Sequence, residues 1–204
     1  MKPTIARTGL LLVVCAALAG CVSLLPKSKP AQLYSFGAVE PAATAQPAAA
    51  GGKVILLGRV DFAAAAATDR ILTVAGQDAA YIEASRWVSP APVLFEEALA
   101  QSFQRTQGAP RLVRGGSVLR APQMLSLQVQ SFEARYDQGQ DAAPVVVVRL
   151  HAMMSSVNDR QVQAEETFTS TARASDNRVG AIVQAYDVAV QEALGKLIAW
   201  TEAT

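Results

Sequence analysis

The chain has 204 residues, 51% of them apolar when alanine is counted, with 18 basic side chains, 17 acidic ones and one histidine. Alanine alone fills 39 positions, so the larger apolar residues make up only about 32%, an ordinary globular share that excludes a membrane bundle. The near balance of charge creates no field that attracts a polyanion, which argues against nucleic acid as a partner.

Residues 1–20 read as an export leader. Lys2 and Arg7 precede an apolar or small run from Gly9 to Gly20, shorter than the ~20 residues a spanning helix needs. Leu18-Ala19-Gly20-Cys21 then sets two small residues before a cysteine, where a lipid-transferring enzyme and a processing peptidase both need narrow side chains. This stretch resembles the bacterial lipobox. Cys15 follows the branched Val14 and does not qualify. Lipid attachment is therefore expected at Cys21; the alternative is an ordinary exported protein with a free Cys21 thiol. The resemblance implies three acyl chains, and at ~0.8 kcal/mol per buried methylene these exceed what stable anchoring requires. Loss of Lys2 and Arg7 with the leader leaves 16 basic against 17 acidic groups. Val22 and Ser23, rather than an aspartate, follow Cys21. By likeness to known lipoprotein sorting, this places the anchor in the outer membrane, facing the periplasm.

Residues 21–32 form a lipidated tether without periodicity, and 33–204 a single domain. Leu33 to Phe36 reads as a first strand. Residues 37–52, rich in Ala, Pro and Gly, read as a flexible linker, since they bury too little apolar surface to offset their ordering entropy. Val54, Leu56, Val60 and Phe62 fall on one face of an alternating run. Ala63–Ala67 is too short to hold a helix and reads as a connection. Ile71 to Val74, Gly76-Gln77-Asp78 and Tyr81-Ile82 predict a hairpin.

A helix is predicted after Ser89, with Pro92 in its first turn and Gly108 and Pro110 beyond its end. Phe95, Leu99 and Phe103, widened by Leu94, Ala98 and Ser102, give it a face to lay on a sheet. Three half-buried strands follow: one around Leu125, Leu127 and Val129; one with Val146, Val148, Leu150, Ala152 and Met154 opposite Arg149 and His151; one with Val162, Ala164 and Phe168. An antiparallel meander joins them most economically. A helix from about Asp176 to Trp200 closes the chain, with Val179, Val183, Tyr186, Val190, Ala193, Leu197 and Trp200 on a stripe. It covers the sheet, the alternative being a coiled-coil partner. The expected fold is thus α+β: an antiparallel sheet built from a hairpin and a meander, with two helices on one face.

Asp69-Arg70-Ile71, Tyr81-Ile82, Arg86-Trp87-Val88, Phe132-Glu133-Ala134, Ala185-Tyr186-Asp187 and Trp200 occur in the order of a known pattern. In these residues the chain resembles the ABC-type transport auxiliary lipoproteins of the paraquat-inducible protein C type. The resemblance implies a non-catalytic envelope component working with an ABC ATPase, its permease and a substrate-binding protein of the mammalian-cell-entry class. That system carries lipid between the two membranes, and this chain would form its outer-membrane end. A homo-oligomer is also compatible.

Nothing in the sequence points to catalysis, a metal or a cofactor. His151 is the sole histidine, with no nucleophile placed to use it, and neighbouring Glu165 and Glu166 on a strand face opposite ways. No phosphate loop is present. Arg86-Trp87 has two readings. Trp87 packs over the helix start while Arg86 pairs with a carboxylate such as Asp69; alternatively the group Asp69, Arg70, Arg86 and Trp87 contacts a partner protein. For function, an anchored docking subunit, a lipid carrier with an apolar cavity and a structural envelope lipoprotein all remain, the first two predicting different interiors.

Overall fold

The computed structural model describes residues 30–37, 52–117 and 119–204; the leader, Cys21, most of the tether and the interior of the 37–52 linker lie outside them. Residues 31–204 form one compact unit. In chain order its elements are β1 (Gln32–Tyr34), β2 (Val54–Phe62), β3 (Arg70–Ala75), β4 (Asp78–Trp87), α1 (Ala91–Arg105), β5 (Arg111–Val113), β6 (Gln123–Arg135), β7 (Val145–Ser156), β8 (Val162–Arg173) and α2 (Val179–Ala203).

The α+β class holds, but the sheet is mixed rather than antiparallel. The β3–β4 hairpin and the β6–β7–β8 meander are antiparallel. β2 and β3 share the other edge of β6, and both run parallel to it. β5 lies parallel to β2, and β1 parallel to β4. The helix explains the difference. β4 runs back against β3, and α1 carries the chain on to the end of the sheet where β2 begins: Arg111 N–H donates to Lys53 O at 2.7 Å, so β5 and then β6 set out in the direction of β2. Alternation of apolar residues reports which side chains face inward and carries no information on a neighbour's direction.

Along β6 and β7 the expected inward residues are buried: Leu125, Leu127 and Val129, then Val146, Val148, Leu150, Ala152 and Met154. In β2 the expectation fails for half the strand. Ile55 and Leu57 are buried rather than Val54 and Leu56, while Val60 and Phe62 pack against the core as expected. The pairing with β6 shifts between Leu57 and Val60, and one extra residue in a strand turns every following side chain to the other face. Gly58 sits in this bulge, where a Cβ would stand 2.7 Å from Ser126 Oγ. The Ala63–Ala67 connection is a turn, as expected.

α1 buries Ala91, Leu94, Phe95, Ala98, Leu99 and Phe103. α2 presents a broader and rotated face compared with the predicted stripe. Ile182, Ala185, Ala189, Leu194 and Ile198 join Tyr186, Val190, Ala193 and Leu197 in the core, whereas Val179, Val183 and Trp200 are only partly buried. Contact with both β7 and β8 accounts for the extra width. Both helices and the inward side of the sheet form one hydrophobic cluster. At its centre Phe132 stacks 4.9 Å from Tyr186 and 5.1 Å from Phe36, and Trp87 meets Phe36 edge-on at 4.9 Å.

Candidate docking surface

Three of the four residues singled out for a partner contact lie at the surface where β3, β4 and β1 meet. Arg86 Nη1 donates to both carboxylate oxygens of Asp69, each at 3.0 Å. The guanidinium of Arg70 lies 4.0 Å from the centre of the Tyr81 ring, and the Tyr81 hydroxyl donates to Ala65 O at 3.0 Å. Backbone bonds hold the segment still: Trp87 N–H donates to Asp69 O at 2.7 Å and Ala91 N–H to Thr68 O at 3.0 Å. The strand thus enters α1 at a fixed angle, with its two arginines preorganised.

Trp87 takes the opposite side. It is only 2% exposed and meets Tyr186 edge-on at 5.2 Å. In the chain by itself it is a strut beneath Arg86 and presents almost no surface to a partner. The exposed apolar residues beside the arginines are different ones. Leu33, opposite Arg86 in the β1–β4 register, is 59% exposed, and Val88 is 51% exposed. Leu33 was not legible as part of this surface, because the β1–β4 pairing joins segments about fifty positions apart in sequence.

The remaining polar groups are arranged for support. His151 Nδ1 lies 3.1 Å from Thr167 Oγ1 and its Nε2 lies 3.5 Å from Glu165, on the sheet face away from the helices. Arg173 clasps Asp137 with bonds of 3.0 and 2.6 Å, which holds the Asp137 carboxyl below the usual carboxylate range. Burial, with the Glu133 charge nearby, raises the Tyr186 phenol well above its ordinary value. Among the described residues no three His, Cys, Asp or Glu side chains converge as metal ligands, and no helix is long and apolar enough to cross a membrane.

The family model described as the ABC-type transport auxiliary lipoprotein component matches residues 34–198. The chain belongs to this family. The auxiliary lipoprotein fold also recurs in solved structures. A protein from Xanthomonas campestris has 21% identity and a TM-score of 0.72 over 85% of this chain and 95% of its own. An uncharacterised protein has 12% identity and a TM-score of 0.63 over 84% and 99%, and a hypothetical protein from Chlamydia trachomatis has 8% and 0.53 over 75% and 97%. At these identities the likeness is one of fold. No curated protein matches the auxiliary lipoprotein. The matched span runs from the last residue of β1 through most of α2, and so includes the whole Asp69–Arg86 surface.

Proposed function

We propose that this chain is the outer-membrane-anchored docking subunit of a mammalian-cell-entry class lipid transport system. Acyl chains on Cys21 hold it to the periplasmic face of that membrane, and its folded body binds the periplasmic substrate-binding component. Cys21 and the first residue of β1 are eleven positions apart, a stretch that spans at most ~40 Å when fully extended. The body therefore works close to the bilayer. Asp69, Arg70 and Arg86, with Leu33 and Val88 beside them and Trp87 beneath, are the proposed contact surface. The mixture of arginine and apolar side chains is of the kind that concentrates binding energy.

The observation that favours docking over lipid carriage is the filled interior. Phe95, Leu99, Val190 and Leu197 are fully buried and Phe103 nearly so, all in one cluster with the sheet. Two concavities, of about 320 and 240 Å3, are lined by residues outside that cluster, the first around Arg114, Ser117 and Arg120 and the second around Thr73, Asp78 and Tyr136. An acyl chain would need space between helices and sheet. The deciding experiment purifies the acylated protein from membranes with its envelope partners. Retention of the substrate-binding component without phospholipid inside the domain supports docking, and stoichiometric phospholipid that resists delipidation supports carriage instead.

A further inference from the structure

The larger concavity, about 320 Å3, opens at the end of the sheet where β5 stops and β6 starts. Its volume is at the lower bound of the ~300–1,000 Å3 usual for small-molecule sites. The loop between those strands lines it together with Val157 and Asn158, which belong to the turn between β7 and β8. Backbone bonds hold loop and turn in place. Val157 N–H donates to Pro122 O at 2.9 Å, and Ser117 N–H donates to Arg114 O at 3.3 Å. Ser117 Oγ accepts from Leu119 N–H at 3.2 Å, which leaves the hydroxyl hydrogen of Ser117 available to donate.

Two arginines, Arg114 and Arg120, line this cavity, and no acidic residue does. Elsewhere in the fold arginines close on carboxylates: Arg86 on Asp69, Arg135 on Glu133 and Arg173 on Asp137. Arg120 pairs with no carboxylate among the described residues. Arg114 has one long contact, 3.5 Å to Glu96, between two exposed side chains. A pair of that kind is weak and gives way to a better-placed anion. Asp159, in the same turn as Asn158, is engaged by Gln161 N–H at 3.2 Å. Leu119 and Val157 are two of the seven large apolar side chains left exposed among the described residues, and both line the cavity, as does Leu56.

We infer that this cavity binds a phosphate group carried on an apolar body. Guanidinium forks take phosphate oxygens in pairs, and two forks at one cavity suit a tetrahedral anion better than a planar carboxylate. Ser117 and Asn158 add neutral donors beside them. Leu56, Leu119 and Val157 receive the carbon atoms attached to the phosphate. The headgroup of an anionic phospholipid and a free phosphate ester share this chemistry. A headgroup held here leaves its acyl chains outside the filled core. The site shares no residue with the surface around Arg86 and does not depend on the docking reading.

Calorimetric titration of the full-length acylated protein in a non-ionic detergent supplies the test, with dihexanoyl phosphatidylglycerol, glycerol phosphate and phosphate-free dihexanoyl glycerol as probes. Saturable binding of the phosphate-bearing probes is expected, weakened at least about tenfold by Arg120→Gln and by Arg114→Gln. Arg120 has no ion pair to lose, so its variant reads the ligand and not the loop. Arg59→Gln removes the same charge from an exposed position outside the cavity and is expected to leave the affinity unchanged. Phosphatidylglycerol binding more tightly than glycerol phosphate identifies a lipid headgroup as the source, and equal or tighter binding of glycerol phosphate identifies a free ester. The inference is overturned if neither phosphate-bearing probe binds, or if dihexanoyl glycerol binds as tightly as phosphatidylglycerol. Affinity that survives Arg120→Gln, or falls as far with Arg59→Gln, overturns it equally.

Discussion

The backbone N–H of Gly37 donates to Asp187 Oδ1 at 2.7 Å, although 150 positions separate the two residues. Gly37 adopts φ +70°, and a Cβ there would stand 2.4 Å from the Ala98 Cβ. The segment after β1 is thereby pinned between α1 and α2. Gly37→Ala meets both a left-handed backbone and a clash, and is expected to cost about 2–4 kcal/mol. Asp187→Ala removes a charged acceptor that is partly exposed and is expected to cost about 1–2 kcal/mol. Asp187→Asn retains an oxygen acceptor and should cost less. Urea unfolding monitored by circular dichroism gives all three values, and a neutral Gly37→Ala would contradict this reading of the junction.

Trp87 and Arg86 are adjacent, and their substitutions should separate stability from binding. Trp87→Ala empties a site 2% exposed at the aromatic centre, with an expected loss of about 3–5 kcal/mol. Arg86→Ala breaks an ion pair whose side chains are 45% and 44% exposed, worth about 0.2–1 kcal/mol. If the proposed docking surface is right, Arg86→Ala and Arg70→Ala weaken capture of the substrate-binding component at least tenfold while the unfolding midpoint barely moves. Undiminished capture by both variants would remove this surface from the docking model.

Tyr186 makes stability fall in alkali. Its hydroxyl donates to Leu72 O at 3.1 Å in the core, and its folded-state pKa is raised well above 10.0. Above about pH 10 the unfolded chain ionises this phenol while the folded chain does not, so the unfolded state gains and the protein loses stability. The stabilisation is fully present below that pH. Tyr186→Phe should cost about 1 kcal/mol at neutral pH and flatten the alkaline decline. Tyr136, also raised by burial, contributes in the same direction and leaves a residual slope. Chemical unfolding at several pH values from 8 to 11 measures both effects.

At the acid end the sign reverses. Asp137 is held below its ordinary value of 3.8 mainly by the Arg173 hydrogen bond. Its contribution is therefore present above the unfolded-state pKa and is lost as pH falls through the folded one. Asp137→Asn is expected to shrink the difference in unfolding midpoint between pH 7 and about pH 3. An identical acid profile in the variant would show that the clasp adds nothing.

Part of the candidate surface was legible before any coordinates. Asp69 and Arg86 have complementary charge beside a predicted hairpin, and they pair as that reading of Arg86-Trp87 expects. The same reading makes Trp87 a packed side chain, and it is buried, among Phe36, Phe132 and Tyr186. The position of Arg70 over Tyr81 was not legible, because the β3–β4 register shifts between Arg70 and Leu72 and strand alternation cannot anticipate it. Leu33 beside Arg86 required the β1–β4 pairing itself.

From its residues alone the protein declares its inward side chains in β6 and β7, its hairpin, the packing face of α1, its α+β class and its family. These depend on the geometry of one segment at a time: a two-residue repeat in strands, a 3.6-residue repeat in helices, and short signatures in order. Tertiary structure decided the direction of β2 and β3 beside β6, the face exchange at the β2 bulge, the width of the α2 contact and the anchoring of Gly37. Each of those depends on groups brought together from distant parts of the chain. Parallel and antiparallel neighbours satisfy the same backbone donors and acceptors almost equally well, so the path taken by α1 across the sheet makes the choice.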